Sequence, residues 1–453
     1  MQIKNIFFIG IAGTGMSALA QFMAGSGSKV SGSDRYFGLG QATDVKEKLE
    51  DEGISCYHQD GSGIHEGIEL VVVSTAIEDS VPEVAKAKAL GIPILKRSEL
   101  LAKICASKRT IAIGGTSGKS TTSAMLFSIM QEAGMNPGII SGAGLVSIME
   151  MGKIGNAWVG GEWLIIEADE SDGSIVQYHP EIGVLLNIDK DHQEMDELFS
   201  IFTVFRDNTK GIFIVNQGNP PASKLSRNRA FDFGSGALNT AGTVGVGFFQ
   251  EGMRIHFTVK DKQFAIDTLG EHNMENALAA IAVAETLGIS LDVSVRALES
   301  YKGIYRRHQY LGLKKGVHII DDYGHNPVKC AASIKACQPV APKLIAWFQP
   351  HGYGPTRFLK DDFIREISNA LRPGDEIWMS EIFFAGGTAV KDISAADLIQ
   401  GIASKGCNAF FVENRNDLLD AIRPHLTDDC VLLLMGARDP GLETFGKELF
   451  EQL

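Results

Sequence analysis

Gly115-Thr116-Ser117-Gly118-Lys119-Ser120-Thr121 places two glycines, an ammonium and four hydroxyls within seven residues. Glycines let backbone N–H groups converge on phosphate oxygens, the start of a helix adds its dipole, and Lys119 supplies a point charge. Ser120 is placed to offer its hydroxyl to Mg2+. Counted from Gly114, the spacing is one residue short of the common G-x-x-x-x-G-K-[ST] loop, but the mechanics are unchanged. The run Thr110-Ile111-Ala112-Ile113 before it reads as a strand, and a helix follows. That setting favours a nucleotide-phosphate loop over a glycine turn with an exposed lysine.

Two further segments could serve such a loop. Glu167-Ala168-Asp169-Glu170-Ser171-Asp172 ends the apolar run 164–167, and its four carboxylates repel one another unless a cation is present. A Mg2+ site and a solvated acidic loop are both open readings. Asn187-Ile188-Asp189-Lys190-Asp191-His192 follows the apolar run 182–186, so it falls at the same carboxyl edge, where ligands bind in such folds. That position, more than the residue type, marks His192 as a candidate ligand. A second glycine turn, Gly10-Ile11-Ala12-Gly13-Thr14-Gly15-Met16, joins the first strand to the first helix, with Ser33-Asp34 closing the next strand. Taken alone it suggests a dinucleotide turn with an acidic ribose partner, hence an NAD-dependent oxidoreductase.

These residues need a scaffold, and the chain is long enough for two or three domains at 453 residues. With 44% hydrophobic and 21% charged residues it is of the globular type. A net charge of -13 argues against a general nucleic-acid or membrane-surface binder. The six cysteines are scattered without a CxxC pair, which suits reduced thiols in a cytoplasm. Ala18-Leu19-Ala20 imitates a signal-peptidase site, but glycines interrupt the apolar run, so export and membrane insertion are not expected.

Short apolar runs alternate with helical periods throughout. Strands are expected at 6–9, 29–32, 70–73, 92–95, 110–113, 164–167, 182–186 and 212–215, and later at 317–320, 344–348, 376–379 and 431–434. Helices are expected at 16–25 and 274–287. Between Asn219 and Asp267 alternating runs such as 254–259 suggest antiparallel strands. The expected fold is α/β with three domains. Residues 1–107 form a Rossmann-like domain and 108–304 a P-loop ATPase-like mononucleotide sheet with a small antiparallel sheet. Residues 305–453 form a second Rossmann-like domain.

A strand then GT-x-GK[ST]T, E-x-[DE]-E-S-D, N-I-x-x-D-H, G-x-HN-x-x-N, an Arg-Arg pair and DDYGH occur in this order, and over the whole chain the set resembles the Mur ligases. The resemblance implies an ATP-dependent carboxylate–amine ligase working through an acyl phosphate in peptidoglycan precursor synthesis. By it, Gly115, Thr116, Gly118, Lys119, Ser120 and Thr121 hold the ATP phosphates, and Ser120, Glu170 and His192 hold Mg2+. Asn273, Asn276, Arg307 and Asp322 complete the ATP site. Gly10, Ala12, Gly13, Thr14, Gly15, Met16, Ser33, Asp34, Ser74, Thr75 and Ala76 would bind the UDP sugar, making 1–107 the UDP-sugar domain, 108–304 the ATP domain and 305–453 the acceptor domain.

Tyr323, His325, His351 and Arg357 are the acceptor candidates, with His325 orienting the amine or accepting its proton. The branch that adds L-alanine to UDP-N-acetylmuramate carries Q-P-H-R-Y-T-R-T, whereas here Gly352 and Pro355 replace both arginines, so Arg357 or Arg438 must take over. Other departures are Ser117, His308, Asn326 and the turn Gly436-Ala437-Arg438-Asp439. Gly270-Glu271-His272-Asn273-Met274 leans instead toward the branch that attaches a preformed L-Ala-D-Glu-meso-diaminopimelate peptide. A non-catalytic nucleotide sensor would not need Lys119, Glu170, His192, Arg307 and Asp322 all intact. Oligomeric state is not legible.

Overall fold

The computed structural model describes residues 3–74, 77–171, 173–189, 194–384 and 390–453. It contains two compact units. One comprises Met1–Phe248, Phe257–Ile266 and His272–Ile304; the other comprises Phe249–His256, Asp267–Glu271 and Tyr305–Leu453.

The first unit opens with a parallel sheet of β1 (Asn5–Ile9), β2 (Lys29–Asp34), β3 (Ser55–His58), β4 (Leu70–Val73) and β5 (Ile94–Lys96), in the order β3-β2-β1-β4-β5. Alternate residues serve opposite faces, which is why an unbroken apolar run is needed. Ile6, Phe8, Leu70 and Val72 join one hydrophobic cluster, and Phe7, Ile9 and Val71 join the other. β5 starts two residues later than expected. Pro93 has no N–H for the ladder, although its carbonyl accepts from the Val71 N–H.

A second sheet contains β6 (Arg109–Gly114), β7 (Gly138–Ile140), β8 (Ala157–Trp158), β9 (Trp163–Ala168), β10 (Ile182–Leu185) and β11 (Ile212–Val215), ordered β11-β10-β6-β9-β7-β8. Its strands are parallel except for β8 against β7. The cluster that covers one face of the first sheet continues into this one through Ala112, Ile166 and Leu185. A buried polar bridge pins the helix Thr14–Gly25 to the segment before β8. The Gln21 amide donates to Asn156 Oδ1 at 2.7 Å, and the Asn156 amide donates to the Thr14 carbonyl at 2.7 Å and Ser17 Oγ at 2.9 Å.

A small sheet has the order β12 (Phe233–Ser235), β13 (Thr243–Glu251), β14 (Arg254–Val259), β15 (Lys262–Asp267). Here the expectation of antiparallel strands is corrected for one pair only, because β12 runs parallel to β13. Alternation marks a half-buried strand but not the sense of its neighbour. The two-residue links from β13 to β14 and from β14 to β15 are of a length that only antiparallel neighbours use.

The second unit holds β16 (Gln309–Lys314), β17 (Val317–Asp322), β18 (Lys343–Gln349), β19 (Glu376–Met379), β20 (Asn408–Phe411) and β21 (Cys430–Gly436), ordered β16-β17-β21-β18-β19-β20. Only β16 runs antiparallel to its neighbour. Phe348, Ile377 and Leu433 pack on one face and Trp347, Trp378 and Leu432 on the other. The six cysteines are free thiols. Among the described residues no helix is long and apolar enough to cross a membrane.

Candidate functional site

β6 runs between β9 and β10, with Gly114 opposite Ala168 on one and Leu185 on the other. The glycine loop therefore leaves the sheet between the acidic end of β9 and the asparagine just past β10. Lys119 opens the helix Lys119–Glu132. Its Nζ donates to the Gly115 carbonyl at 2.7 Å and to Glu170 Oε2 at 2.8 Å. Ser120 Oγ donates to Glu167 Oε2 at 2.9 Å, while Glu167 Oε1 accepts from Ser141 Oγ and the Gly142 N–H at 2.6 Å each. From the other side Asn187 clamps the loop. Its Oδ1 accepts from Thr116 Oγ1 at 2.8 Å and the Ser117 N–H at 2.9 Å, and its amide donates to the Ser117 carbonyl at 3.2 Å.

Gly118 has φ +87°, a left-handed conformation, and a Cβ on it would lie 2.3 Å from Asn276 Oδ1. Asn276 in turn accepts from Thr122 Oγ1 at 3.3 Å and donates to Asn273 Oδ1 at 2.9 Å, and both asparagines are buried. The asparagine pair thus backs the loop as a brace. Thr121 continues the helix after Ser120.

Burial opposes both charges of the Lys119–Glu170 pair. For Lys119 the attraction of Glu170, Asp169 and Glu167 outweighs burial and holds its pKa above the ordinary value. For Glu170 burial wins, and its pKa stays above the ordinary value even with Lys119 beside it. Ser120, on Glu167, and Glu170, on the neighbouring Lys119, offer hard oxygen donors of the kind that suits Mg2+. Among the described residues no three His, Cys, Asp or Glu side chains gather as a metal cage. Asp172, Asp191 and His192 lie outside the described residues.

The first glycine loop is built differently. The N–H groups of Gly10 and Ile11 donate to the Ser33 carbonyl at 2.7 and 3.1 Å. Asp34 accepts from the Ala12 N–H at 3.0 Å through one oxygen and from the Tyr36 N–H at 3.0 Å through the other. Asp34 therefore ties the loop to the end of β2. Gly13, Thr14, Gly15 and Met16 turn the chain into the first helix, where the Met16 N–H donates to the Gly13 carbonyl. A Cβ on Gly15 would lie 3.3 Å from Arg97 Nη1, so a guanidinium stands beside this loop. Ser74 follows β4; Thr75 and Ala76 lie outside the described residues.

In the second unit the Arg306-Arg307 pair divides its work. Arg306 is buried, forked onto Asp321 at 2.8 and 3.1 Å, and also donates to the Gly436 carbonyl at 3.1 Å. Arg307 lies over the Tyr323 ring, 4.9 Å from its centroid. Arg306 and His308, on either side of it, both adopt positive φ, +54° and +46°, a strain tolerated where the surroundings enforce it. One enforcing group is Asp322. It accepts from the His308 N–H at 2.9 Å, the Gly324 N–H at 2.9 Å and Ser333 Oγ at 2.6 Å. Although burial raises its pKa, the combined pull of His308, Arg307 and these donors lowers it to about 2.

Tyr323, His325 and His351 form a ring cluster, with centroids 5.7 and 5.9 Å apart in succession. His325 Nδ1 is 3.0 Å from the Tyr323 carbonyl, which can only accept, so Nδ1 carries the hydrogen and Nε2 is the acceptor. Burial, with Lys329, Arg307 and His351 nearby, lowers the His325 pKa to about 4, so the ring is neutral at pH 7. His351 is fixed by strand-like pairing with Phe383, and the Gly352 N–H donates to the Phe383 carbonyl at 2.9 Å. The Arg357 guanidinium pairs with Asp392 and donates to the Val390 carbonyl at 3.1 Å.

Sequence reasoning did not single out Glu167, Asn187, Arg97 or Ser333 for these roles. Glu167 and Asn187 stood in segments already suspected, at strand ends flanking β6. Arg97 and Ser333 carried no local signal.

The whole chain finds relatives. Three family profiles match in order: Mur ligase family, catalytic domain, over residues 5–109; Mur ligase middle domain over 113–284; and Mur ligase, glutamate ligase domain, over 306–438. The UDP-N-acetylmuramate--L-alanine ligase of Verminephrobacter eiseniae is 35% identical, covering 97% of this chain and 94% of its own length. That of Desulfosudis oleivorans is 33% identical, covering 97% and 96%. Among solved structures, the UDP-N-acetylmuramate-alanine ligase of Thermotoga maritima is similar with a TM-score of 0.81 at 24% identity, over 100% of this chain and 99% of that one. A murein peptide ligase from Psychrobacter arcticus gives 0.68 at 20% identity, over 99% and 98%. With three family profiles following one another along most of its length, and relatives 33–35% identical over nearly all of it, this chain belongs to the Mur ligase family.

Proposed function

We propose that this ligase joins the lactyl carboxylate of UDP-N-acetylmuramate to the amine of L-alanine, using ATP and passing through an acyl phosphate. The observation that carries the reading is the Lys119 loop, clamped by Asn187 and Glu167 and backed by Asn276. Such a loop can seat a triphosphate, and the chain's relatives at 32–35% identity are UDP-N-acetylmuramate--L-alanine ligases by name. In the proposed division of labour, residues 1–107 bind the UDP sugar, 108–304 bind ATP and 305–453 bind the acceptor.

In the first step a carboxylate oxygen of the sugar nucleotide attacks the γ-phosphorus, the bond to ADP breaks, and an acyl phosphate forms. Lys119 offsets the charge that gathers on the transferring group, and the backbone N–H groups of the loop hold the phosphates in line. Ser120 and Glu170, with His192, would hold Mg2+, which when bound supplies further positive charge to the phosphate oxygens. In the second step the amine attacks the carbonyl carbon and inorganic phosphate leaves. Neutral His325 can take the amine proton on Nε2. Arg307, freed by Arg306 from pairing with Asp321, is available to the nucleotide.

A second reading has its own support: the acceptor is the preformed tripeptide. Gly354 leaves space where a threonine stands in the L-alanine-adding branch, since a Cβ on it would meet nothing within 4 Å. The oxidoreductase reading of the first glycine loop is not pursued, because it leaves the Lys119 loop without a role. The test is direct. With Mg-ATP and UDP-N-acetylmuramate, L-alanine should release phosphate stoichiometrically with a product of the expected mass. Release with the tripeptide and none with L-alanine would transfer the assignment to the second reading.

A further inference from the structure

Loss of two arginines to Gly352 and Pro355 leaves the acceptor side short of a counter-charge. The backbone at this position also calls for glycine. Gly352 has φ +73° and ψ 122°, a region closed to residues with a Cβ, so an arginine there would not fit this backbone.

The topology supplies another cation. β17, β21 and β18 are adjacent and end level, with Asp322 opposite Met435 and Gln349 opposite Gly436. His325 comes three residues after β17 and His351 two after β18. Arg438 comes two residues after β21, the strand between them. Its neighbours Ala437 and Asp439 are buried while Arg438 itself is exposed. The turn is held firmly: Asp439 accepts from the Gly441 N–H at 2.8 Å and from Arg415, which also donates to Gln349 Oε1 at 3.0 Å.

Arg438 sits in this turn at φ +63°, a left-handed conformation that disfavours any residue with a side chain. Other arginines of the unit are already engaged: Arg306 with Asp321, Arg357 with Asp392, Arg415 with Asp439 and Arg372 with Asp375. Arg438 has no such ion pair among the described residues.

We propose that Arg438 binds the carboxylate of the incoming amine, in place of the arginines missing at positions 352 and 355. A guanidinium fork matches a carboxylate in two hydrogen bonds. Held between the His325 and His351 loops, it directs the amine of an amino acid or peptide toward the imidazoles. This rests on the ligase reading above.

Arg438→Gly is the informative variant, because glycine adopts positive φ freely and the turn should form at least as well. Steady-state kinetics would use L-alanine, or the tripeptide if that is the acceptor turned over. The expected result is an acceptor KM raised about 10- to 100-fold, the span of a lost charged hydrogen bond, with the KM values for ATP and UDP-N-acetylmuramate unchanged. Arg438→Lys should recover part of the loss. An unchanged acceptor KM in Arg438→Gly overturns the assignment while leaving the ligase reading intact. A wild-type protein inactive with both acceptors overturns the ligase reading, and this assignment with it.

Discussion

Lys119 Nζ lies 2.8 Å from Glu170 Oε2 in a pair whose side chains are only 16% and 8% exposed. Removing one partner strands the other, which for a buried pair costs about 3 kcal/mol or more. Lys119→Met should therefore lower both stability and activity, the latter by about 1,000-fold if it follows other lost electrostatic contacts. Lys119→Met with Glu170→Gln should recover stability in urea melts and remain inactive in phosphate release. A double variant that regains turnover would remove Lys119 from the chemistry.

Gly118 and Asn276 meet so closely that the glycine has two separate reasons to be there. Gly118→Ala adds a left-handed strain of about 1 kcal/mol and pushes on the Asn276 amide. The ATP KM should rise roughly tenfold, about 1.4 kcal/mol of binding. Adding Asn276→Ala should relieve the clash but not the strain, and it also removes the brace to Thr122, so ATP binding should not return to normal. A wild-type ATP KM in Gly118→Ala would contradict this account.

Much of this was legible in the sequence because it is local. The runs 70–73, 212–215 and 254–259 coincide with β4, β11 and β14, since unbroken or alternating apolar residues specify which faces are covered. The Lys119 loop was legible because glycines, lysine and hydroxyls stand side by side. What stayed hidden depends on contacts between distant positions. Nothing near residue 187 says that its amide reaches Ser117, 70 residues away. The parallel sense of β12 against β13 is likewise set by where the chain returns, not by its alternation. The separate duties of Arg306 and Arg307 appear only when β17 brings Asp321 beneath the first of them.

That separation is measurable. Arg306→Ala leaves Asp321 buried without its fork, and burial already raises the Asp321 pKa with the fork in place. A loss of about 3–5 kcal/mol in unfolding free energy is expected. Arg307→Ala loses a ring contact and one of several attractions on Asp322, whose hydrogen bonds from the His308 N–H, the Gly324 N–H and Ser333 stay in place, so its melting should fall by about 1 kcal/mol, well short of Arg306→Ala, while ATP turnover falls by at least tenfold. The reverse pattern, a stable Arg306→Ala and an unstable Arg307→Ala, would invert the assignment.

His325 and Asp322 impose a pH dependence in two windows. The His325 pKa falls from 6.5 to about 4 on folding. Between those values the unfolded chain binds a proton that the folded chain refuses, so the stability held above pH 6.5 is lost as pH falls toward 4. The effect is at most about 3 kcal/mol, and less for the part of the ring that touches water. Asp322 acts lower. Its pKa falls from 3.8 to about 2, so its contribution is complete above 3.8 and lost as pH drops through 2. His325→Gln should therefore flatten the decline between pH 6.5 and 4 in thermal melts and leave the decline below pH 4 in place. It should also slow amide formation, while partial turnover of the γ-phosphate continues in the absence of acceptor. If the variant and wild type lose stability in parallel from pH 6.5 to 4, His325 is not the group that titrates, and its neutral state at pH 7 loses its support.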